Sequence, residues 1–116
     1  MNEIKFRYVF KNIFNDISIY YFTLKEIEDG IANKILDSGM RDNGYEIIAK
    51  DLFIDLKDKR GNEIYESDII LTSFNAKYEV KYMPPYWYPI GSYEMIGFEW
   101  EVIGNIYENP KLLKEN

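Results

Sequence analysis

Ile4, Phe6, Tyr8 and Phe10 alternate with Lys5, Arg7 and Val9, a period of two that predicts a first strand. Asn12, Asn15 and Asp16 then supply side chains suited to a turn. The run Ile17-Ser18-Ile19-Tyr20-Tyr21-Phe22 is rich in β-branched and aromatic residues and predicts a second extended segment. At Thr23 the period changes. Thr23 and Glu26 have the spacing of a capping box, and Phe22 and Ile27 flank it at the staple positions. Leu24, Ile27, Ile31 and Ile35 recur at intervals of three and four, which aligns them on one helical face. Glu26, Glu28 and Asp29 sit near the positive end of the dipole, Lys34 lies near the other end, and Gly39 is a natural stop. These signals predict one amphipathic helix over about residues 24–36. Gly30 weakens it by about 1 kcal/mol relative to alanine, less than the packing stripe contributes.

Residues 40–44 are polar and glycine-terminated and predict a loop, after which the apolar stretch 45–56 contains a strand. Residues 57–62 form a polar turn, residues 63–65 resume extended structure, and Asp68-Ile69-Ile70-Leu71-Thr72 has the pattern of a buried strand. Residues 77–82 alternate as a half-exposed strand. Pro84, Pro85 and Pro89 punctuate residues 83–89, which are therefore expected to be a loop. Residues 90–96 and 98–107 are the last extended segments, and the polar tail from Asn109 is expected to fray. The expected fold is α+β and mainly β: an early helix, then short strands at close spacing that suggest a small barrel or a strongly bent sheet.

Composition narrows the chemistry. With 116 residues, 47% of them hydrophobic and 17% aromatic, the chain has the apolar surface of one folded domain. It has no cysteine, which removes disulfides, thiolate nucleophiles and cysteine metal sites and fits a reducing compartment. It has no histidine, which removes the commonest general base near neutral pH and the usual imidazole ligand. The first ten residues interleave Glu3, Lys5 and Arg7 with apolar positions, unlike a signal peptide, and no stretch approaches the roughly 20 apolar residues that span a bilayer. The expectation is a cytoplasmic protein with no membrane partner. Net charge is −6, with 8 basic and 11 acidic side chains in residues 1–58 and 6 and 9 in residues 59–116. Phosphate-backbone binding needs clustered cations. Lys57, Lys59 and Arg60 are interleaved with Asp55 and Asp58, so direct nucleic-acid binding is disfavoured.

Three segments resemble the YopX protein family of phages and prophages of low-GC Gram-positive bacteria. They are Ile4-Lys5-Phe6-Arg7 at the start, the stretch from Leu56 through Asp58, Gly61, Tyr65, Glu66 and Asp68 to Ile70, and the stretch from Glu101 through Gly104, Asn105, Tyr107, Asn109 and Pro110 to Leu113. The chain departs from the family pattern at Ile54-Asp55, where Thr-Gly is usual, at Ser67, where glycine is usual, and at Lys111, where glutamate is usual. Loss of two glycines implies turns that differ or carry strain. The resemblance implies a single domain over residues 1–116: an α+β part over 1–50, an SH3-like β-barrel over 51–110 and a tail over 111–116. It implies a phage setting and a structural role for Asp58, Gly61, Tyr65, Glu66, Asp68, Gly104, Asn105, Tyr107, Asn109 and Pro110. It implies no activity, catalytic residue, cofactor or metal.

The residues themselves point the same way. Glu66 and Asp68 share a face in a strand and could act as a carboxylate pair, but turn chemistry with Asp68 bonding backbone at a strand entry accounts for them better. Glu99 and Glu101 flank Trp100, with both acids expected toward solvent and Phe98, Trp100 and Val102 inward. Tyr82, Tyr86, Trp87, Tyr88 and Tyr93 form the preferred site, a protein interface. Aromatic rings contribute large rigid area, and the neighbouring prolines reduce the entropy lost on binding. The competing account folds these rings over the domain's own core. The expected function is a non-catalytic binding module for a phage or host protein. The alternatives are an acidic inhibitor occupying the basic nucleic-acid groove of a host defence nuclease, in the manner of anti-CRISPR proteins, and a nucleic-acid-binding SH3-like barrel. Exposed strand edges and surplus aromatics leave a homo-oligomer open.

Overall fold

A computed structural model of the chain describes residues 3–84, 86–89 and 99–114. The fold is α+β and mainly β, and it divides into two compact units between Leu52 and Phe53.

In the first unit, β1 (Lys5–Lys11) pairs antiparallel with β2 (Ile17–Thr23), from Lys5↔Thr23 to Lys11↔Ile17. On its other side β1 pairs antiparallel with β3 (Glu46–Lys57), with a bulge between Val9 and Phe10. The β1–β2 turn is a three-residue loop closed by Asn15 in the left-handed region (φ 68°). Asn12 Oδ1 stiffens it by accepting from the Phe14 and Asp16 N–H groups, both at 2.9 Å. The period-two pattern places Tyr8, Phe10, Tyr20 and Phe22 in one cluster, with Tyr8 and Phe22 edge-on at 5.2 Å and Phe10 and Tyr20 at 5.4 Å.

Both halves of the capping box are present: the Glu26 N–H donates to Thr23 Oγ1 at 3.2 Å, and the Thr23 N–H donates to Glu26 Oε1 at 2.8 Å. The single helix expected over residues 24–36 is instead two, α1 (Leu24–Glu28) and α2 (Ile31–Ile35). Gly30 is the cause. It adopts φ 85°, ends α1 by donating its N–H to the Ile27 carbonyl, and starts α2 by accepting from the Lys34 N–H. The apolar stripe survives the break, since Ile27, Ile31 and Ile35 all pack against the cluster of Tyr8, Phe10, Phe22 and Leu36. Gly39, at φ 125°, breaks the helical geometry where the stop was expected. A π turn (Leu36–Met40) and a 3-10 turn (Arg41–Asn43) replace the loop expected over 40–44, and Gly44 at φ 79° closes them before β3.

In the second unit, the end of β3 pairs with β4 (Glu63–Tyr65) through Phe53↔Tyr65 and Lys57↔Glu63, with a bulge between. β5 (Asp68–Leu71) is central in an antiparallel sheet with β6 (Lys77–Glu79) and β9 (Glu101–Asn105). β7 (Lys81–Met83) and β8 (Tyr86–Tyr88) form a separate two-stranded sheet. Among the described residues these sheets do not close into a barrel. Ile54, Ile64, Ile70, Val80 and Trp100 form the core, with Leu56, Tyr78, Trp87 and Val102 packed against it.

Three expectations change in this unit. Residues 83–89 are not simply a loop, because Tyr86–Tyr88 is a strand paired to β7. The prolines lie before and after that strand, where no ladder N–H is required. The strand expected over 77–82 breaks at Val80, whose N–H donates to the Asp68 carbonyl at 2.9 Å and whose carbonyl accepts from the Ser67 N–H at 2.8 Å. The tail forms a 3-10 turn at Pro110–Leu113, with Leu112 and Leu113 half-buried. The extended segment expected over 90–96, with Phe98 and Tyr93, lies outside the described residues.

Candidate functional site

The β7–β8 hairpin pairs Lys81 with Tyr88, Tyr82 with Trp87 and Met83 with Tyr86. Directly opposed residues of an antiparallel pair share a face. Tyr82 and Trp87 accordingly meet with ring centroids 5.1 Å apart, tilted by 55°. Trp87 is half-buried and packs on the core cluster, and Tyr88 lies edge-on to Tyr78 at 5.4 Å. Tyr82 and its neighbour Met83 are each 53% exposed. The aromatic group singled out in the sequence is therefore divided. Trp87 and Tyr88 seat the hairpin on the unit's own packing, and Tyr82 faces solvent on the rigid support they make. Tyr86 joins the hairpin through the Met83 pairing, and Tyr93 lies outside the described residues.

Other exposed apolar side chains escaped the periodicity. Ile13 (78% exposed) and Phe14 (77%) crown the β1–β2 turn, and Phe74 (70%) crowns the β5–β6 turn. The two turns share one construction. Asn75 adopts φ 64°, its N–H donates to the Thr72 carbonyl, and the Thr72 N–H donates to the Ala76 carbonyl, as Asn15, Asn12 and Asp16 do in the first turn. Phe14 and Phe74 occupy the same position in each. The available signal was a large apolar residue directly before an asparagine in a turn, where local chemistry predicts polar side chains.

Four of the motif residues, Asp58, Asp68, Asn105 and Asn109, accept from backbone N–H groups at turns. Asp58 is buried, and its Oδ1 accepts from the Arg60 N–H (2.9 Å) and the Asn62 N–H (2.8 Å). Its Oδ2 accepts from the Val102 N–H (2.9 Å) and from Asn62 Nδ2 (3.3 Å). Burial pushes the Asp58 carboxyl up, but the donors from Val102, Asn62 and Arg60 outweigh it and hold the group below the usual carboxylate range. A carboxyl kept ionised in this way is suited to fixing a turn and not to proton transfer. Asp68 Oδ2 accepts from the Tyr65 N–H at 2.8 Å, which is the turn role expected of it. Among the described residues no three Asp or Glu side chains gather where they could hold a metal ion. Lys59 and Arg60 both reach Glu101, at 3.8 and 3.2 Å, so two of the three cations at this turn are already engaged by an acid, and Glu101 is less open than its strand position suggested.

Asn105 Oδ1 accepts from the Tyr107 and Glu108 N–H groups at 3.0 and 2.9 Å, and Asn109 Oδ1 accepts from the Asn105 N–H at 3.2 Å. A Cβ on Gly104 would stand 2.5 Å from Asn109 Oδ1, so only glycine fits there.

The two departures from family glycines both fall at positive φ, 67° at Asp55 and 72° at Ser67. A side chain in that region costs roughly 1–2 kcal/mol, offset in part by the greater chain entropy of glycine. Ser67→Gly is therefore expected to raise stability by about 0.5–1 kcal/mol in urea unfolding. Asp55→Gly should gain less, because aspartate tolerates this region better. A Ser67→Gly midpoint below that of wild type would show that the turn is not strained.

A family model described as YopX protein matches residues 22–114. The match includes the central and C-terminal motifs and excludes the Ile4–Arg7 segment. Among curated proteins no match was found. Among solved structures, the chain is similar to the crystal structure of protein EF1440 from Enterococcus faecalis, with 22% identity over 91% of this chain and 74% of that one and a TM-score of 0.44. No helix among the described residues is long and apolar enough to cross a membrane.

Proposed function

The chain belongs to the YopX family, and from that premise we propose that it is a small phage- or prophage-encoded accessory protein that acts without catalysis, by binding a phage or host protein through the β7–β8 hairpin. One observation carries this reading: Tyr82 lies exposed against Trp87, which seats the opposite strand of the hairpin in the core, and Met83, the next residue of the strand, is exposed as well. A rigid, buttressed aromatic loses little entropy on binding, as interface hot spots require. The cytoplasm of the host cell is the compartment this role calls for. The SH3-like assignment of the second unit rests on the family resemblance and is supported by β5, central in its sheet and entered through the Glu66-Ser67 turn. Engagement of Lys59 and Arg60 by Glu101 removes support from direct nucleic-acid binding. The competing role is an acidic inhibitor of a host defence nuclease, supported by the net charge of −6.

The test is to identify a partner by affinity capture from host lysate, purify it, and titrate it with wild type and with Tyr82→Ala/Met83→Ala. Loss of about 2 kcal/mol or more, roughly 30-fold in Kd, is expected of a hot spot, with weak salt dependence. Equal affinity for a variant with wild-type thermal stability refutes the hairpin site. A steep fall of affinity with salt favours the acidic-inhibitor role.

A further inference from the structure

β2 is the outermost strand of its sheet, next to β1. Two hairpin bonds establish which of its backbone groups face outward. The Asn12 N–H donates to the Asp16 carbonyl at 3.2 Å, and the Leu24 N–H donates to the Ile4 carbonyl at 3.0 Å. Antiparallel bonds alternate along a strand, so Ser18, Tyr20 and Phe22 bond to β1, and Ile17, Ile19, Tyr21 and Thr23 turn their N–H and C=O groups away from it. The phase has an internal check: the outward N–H of Thr23 is the one taken by Glu26 in the capping box. Among the described residues no strand pairs with Ile17 or Ile19 on that side. Sheet edges are ordinarily guarded by lysine, proline, inward charge or a bulge. The strand Ile-Ser-Ile-Tyr-Tyr-Phe-Thr has no charged residue and no proline, and its pairing with β1 is free of bulges.

We propose that β2 pairs antiparallel with β2 of a second copy about a two-fold axis at Ile19, joining two sheets into one. A two-fold contact uses the same patch on both partners, so the sequence must complement its own reverse. This one does. With Ile19 opposite itself, Ile17 meets Tyr21 of the second copy on one face, a β-branched–aromatic pair, and Ser18 meets Tyr20 on the other. No charge meets its like within the strand. Tyr21, 58% exposed in the single chain, gains an apolar neighbour. The same register carries the turn bearing Ile13 and Phe14 toward the start of α1 in the second copy, where Leu24 is also exposed. A different extended peptide could use the backbone groups but would have no reason to match this side-chain order. Each copy carries −6, so dimerisation opposes a general repulsion and strengthens as salt is added.

The test is sedimentation equilibrium of the full chain from micromolar to near-millimolar protein, with no other component. Wild type is expected to pass from 13.9 kDa to twice that mass, at lower concentration in higher salt. Ile19→Lys places two lysines at the axis, and Ile19→Pro removes an outward N–H without touching the β1–β2 ladder. Both variants should keep the wild-type circular dichroism spectrum and remain at the single-chain mass. A wild type monomeric throughout overturns the proposal, as does a folded Ile19→Lys or Ile19→Pro protein that still doubles its mass. The readout needs no other protein and is independent of the Tyr82 site.

Discussion

Asp58→Ala is expected to lose about 3–5 kcal/mol, a large share of the 5–15 kcal/mol that holds a domain together. Asp58 accepts from the N–H groups of Arg60, Asn62 and Val102, and alanine leaves them without that acceptor. A fully buried donor so abandoned costs roughly 1–3 kcal/mol, and these three are partly buried. The Val102 bond matters most for the fold, because it ties the 57–62 turn to β9 across 44 positions of sequence. Asp58→Asn keeps one acceptor oxygen and should fall between. The pH dependence follows from the sign of the shift. The folded carboxyl lies below its ordinary range and the unfolded one near 3.9. Asp58 therefore contributes stability in full above the unfolded value, and that contribution is lost as pH falls through the lower, folded one. Urea midpoints measured from about pH 6 down to pH 2 should fall less steeply for Asp58→Asn than for wild type. Parallel curves would show that the carboxylate charge is not what the turn uses.

Asp51→Ala is the second severe case. Arg7 Nη2 and Asp51 Oδ2 lie 3.1 Å apart, with side chains 3% and 6% exposed. The two residues are direct neighbours in the β1–β3 pairing. Removing the carboxylate takes from a buried guanidinium the acid it is paired with at 3.1 Å, a loss that costs about 3–5 kcal/mol for a buried pair. Arg7→Met/Asp51→Leu removes both charges and fills the space with apolar atoms, an exchange that is often neutral or stabilising. The double variant should thus unfold at a higher urea concentration than the single one, although it carries more changes. If the two are equally destabilised, the pair acts through shape and not through charge.

The order of these effects mirrors what the sequence disclosed. Features whose causes lie within four residues were legible. The Thr23–Glu26 capping box, the polar 57–62 turn and the strand β1 depend on local bonding and side-chain period, and each stands in the structure, although Arg7 and Val9 are as buried as Tyr8 and Phe10. The strain expected where two family glycines are missing was also local, a matter of φ at Asp55 and Ser67.

Tertiary structure decided the rest. Gly30 could have been a weak point in one helix or a hinge between two, because the apolar stripe packs either way, and the core settled on two. Three prolines argued against a strand at 83–89, yet their spacing leaves Tyr86–Tyr88 clear, and only pairing with β7 makes it a strand. Tyr82 and Trp87 share a face of the hairpin, so their division, Trp87 half-buried on the core and Tyr82 open to solvent beside it, depends on which strand of the hairpin the core covers, and composition does not distinguish the two. The sequence by itself therefore determined the elements and their caps, because dihedral preference and near-neighbour bonding are written in adjacent residues. Only the folded chain determined which side chains are buried and which distant groups meet, as at Asp58 with Val102 and Arg7 with Asp51, because those partners are brought together by packing across 44 residues of sequence.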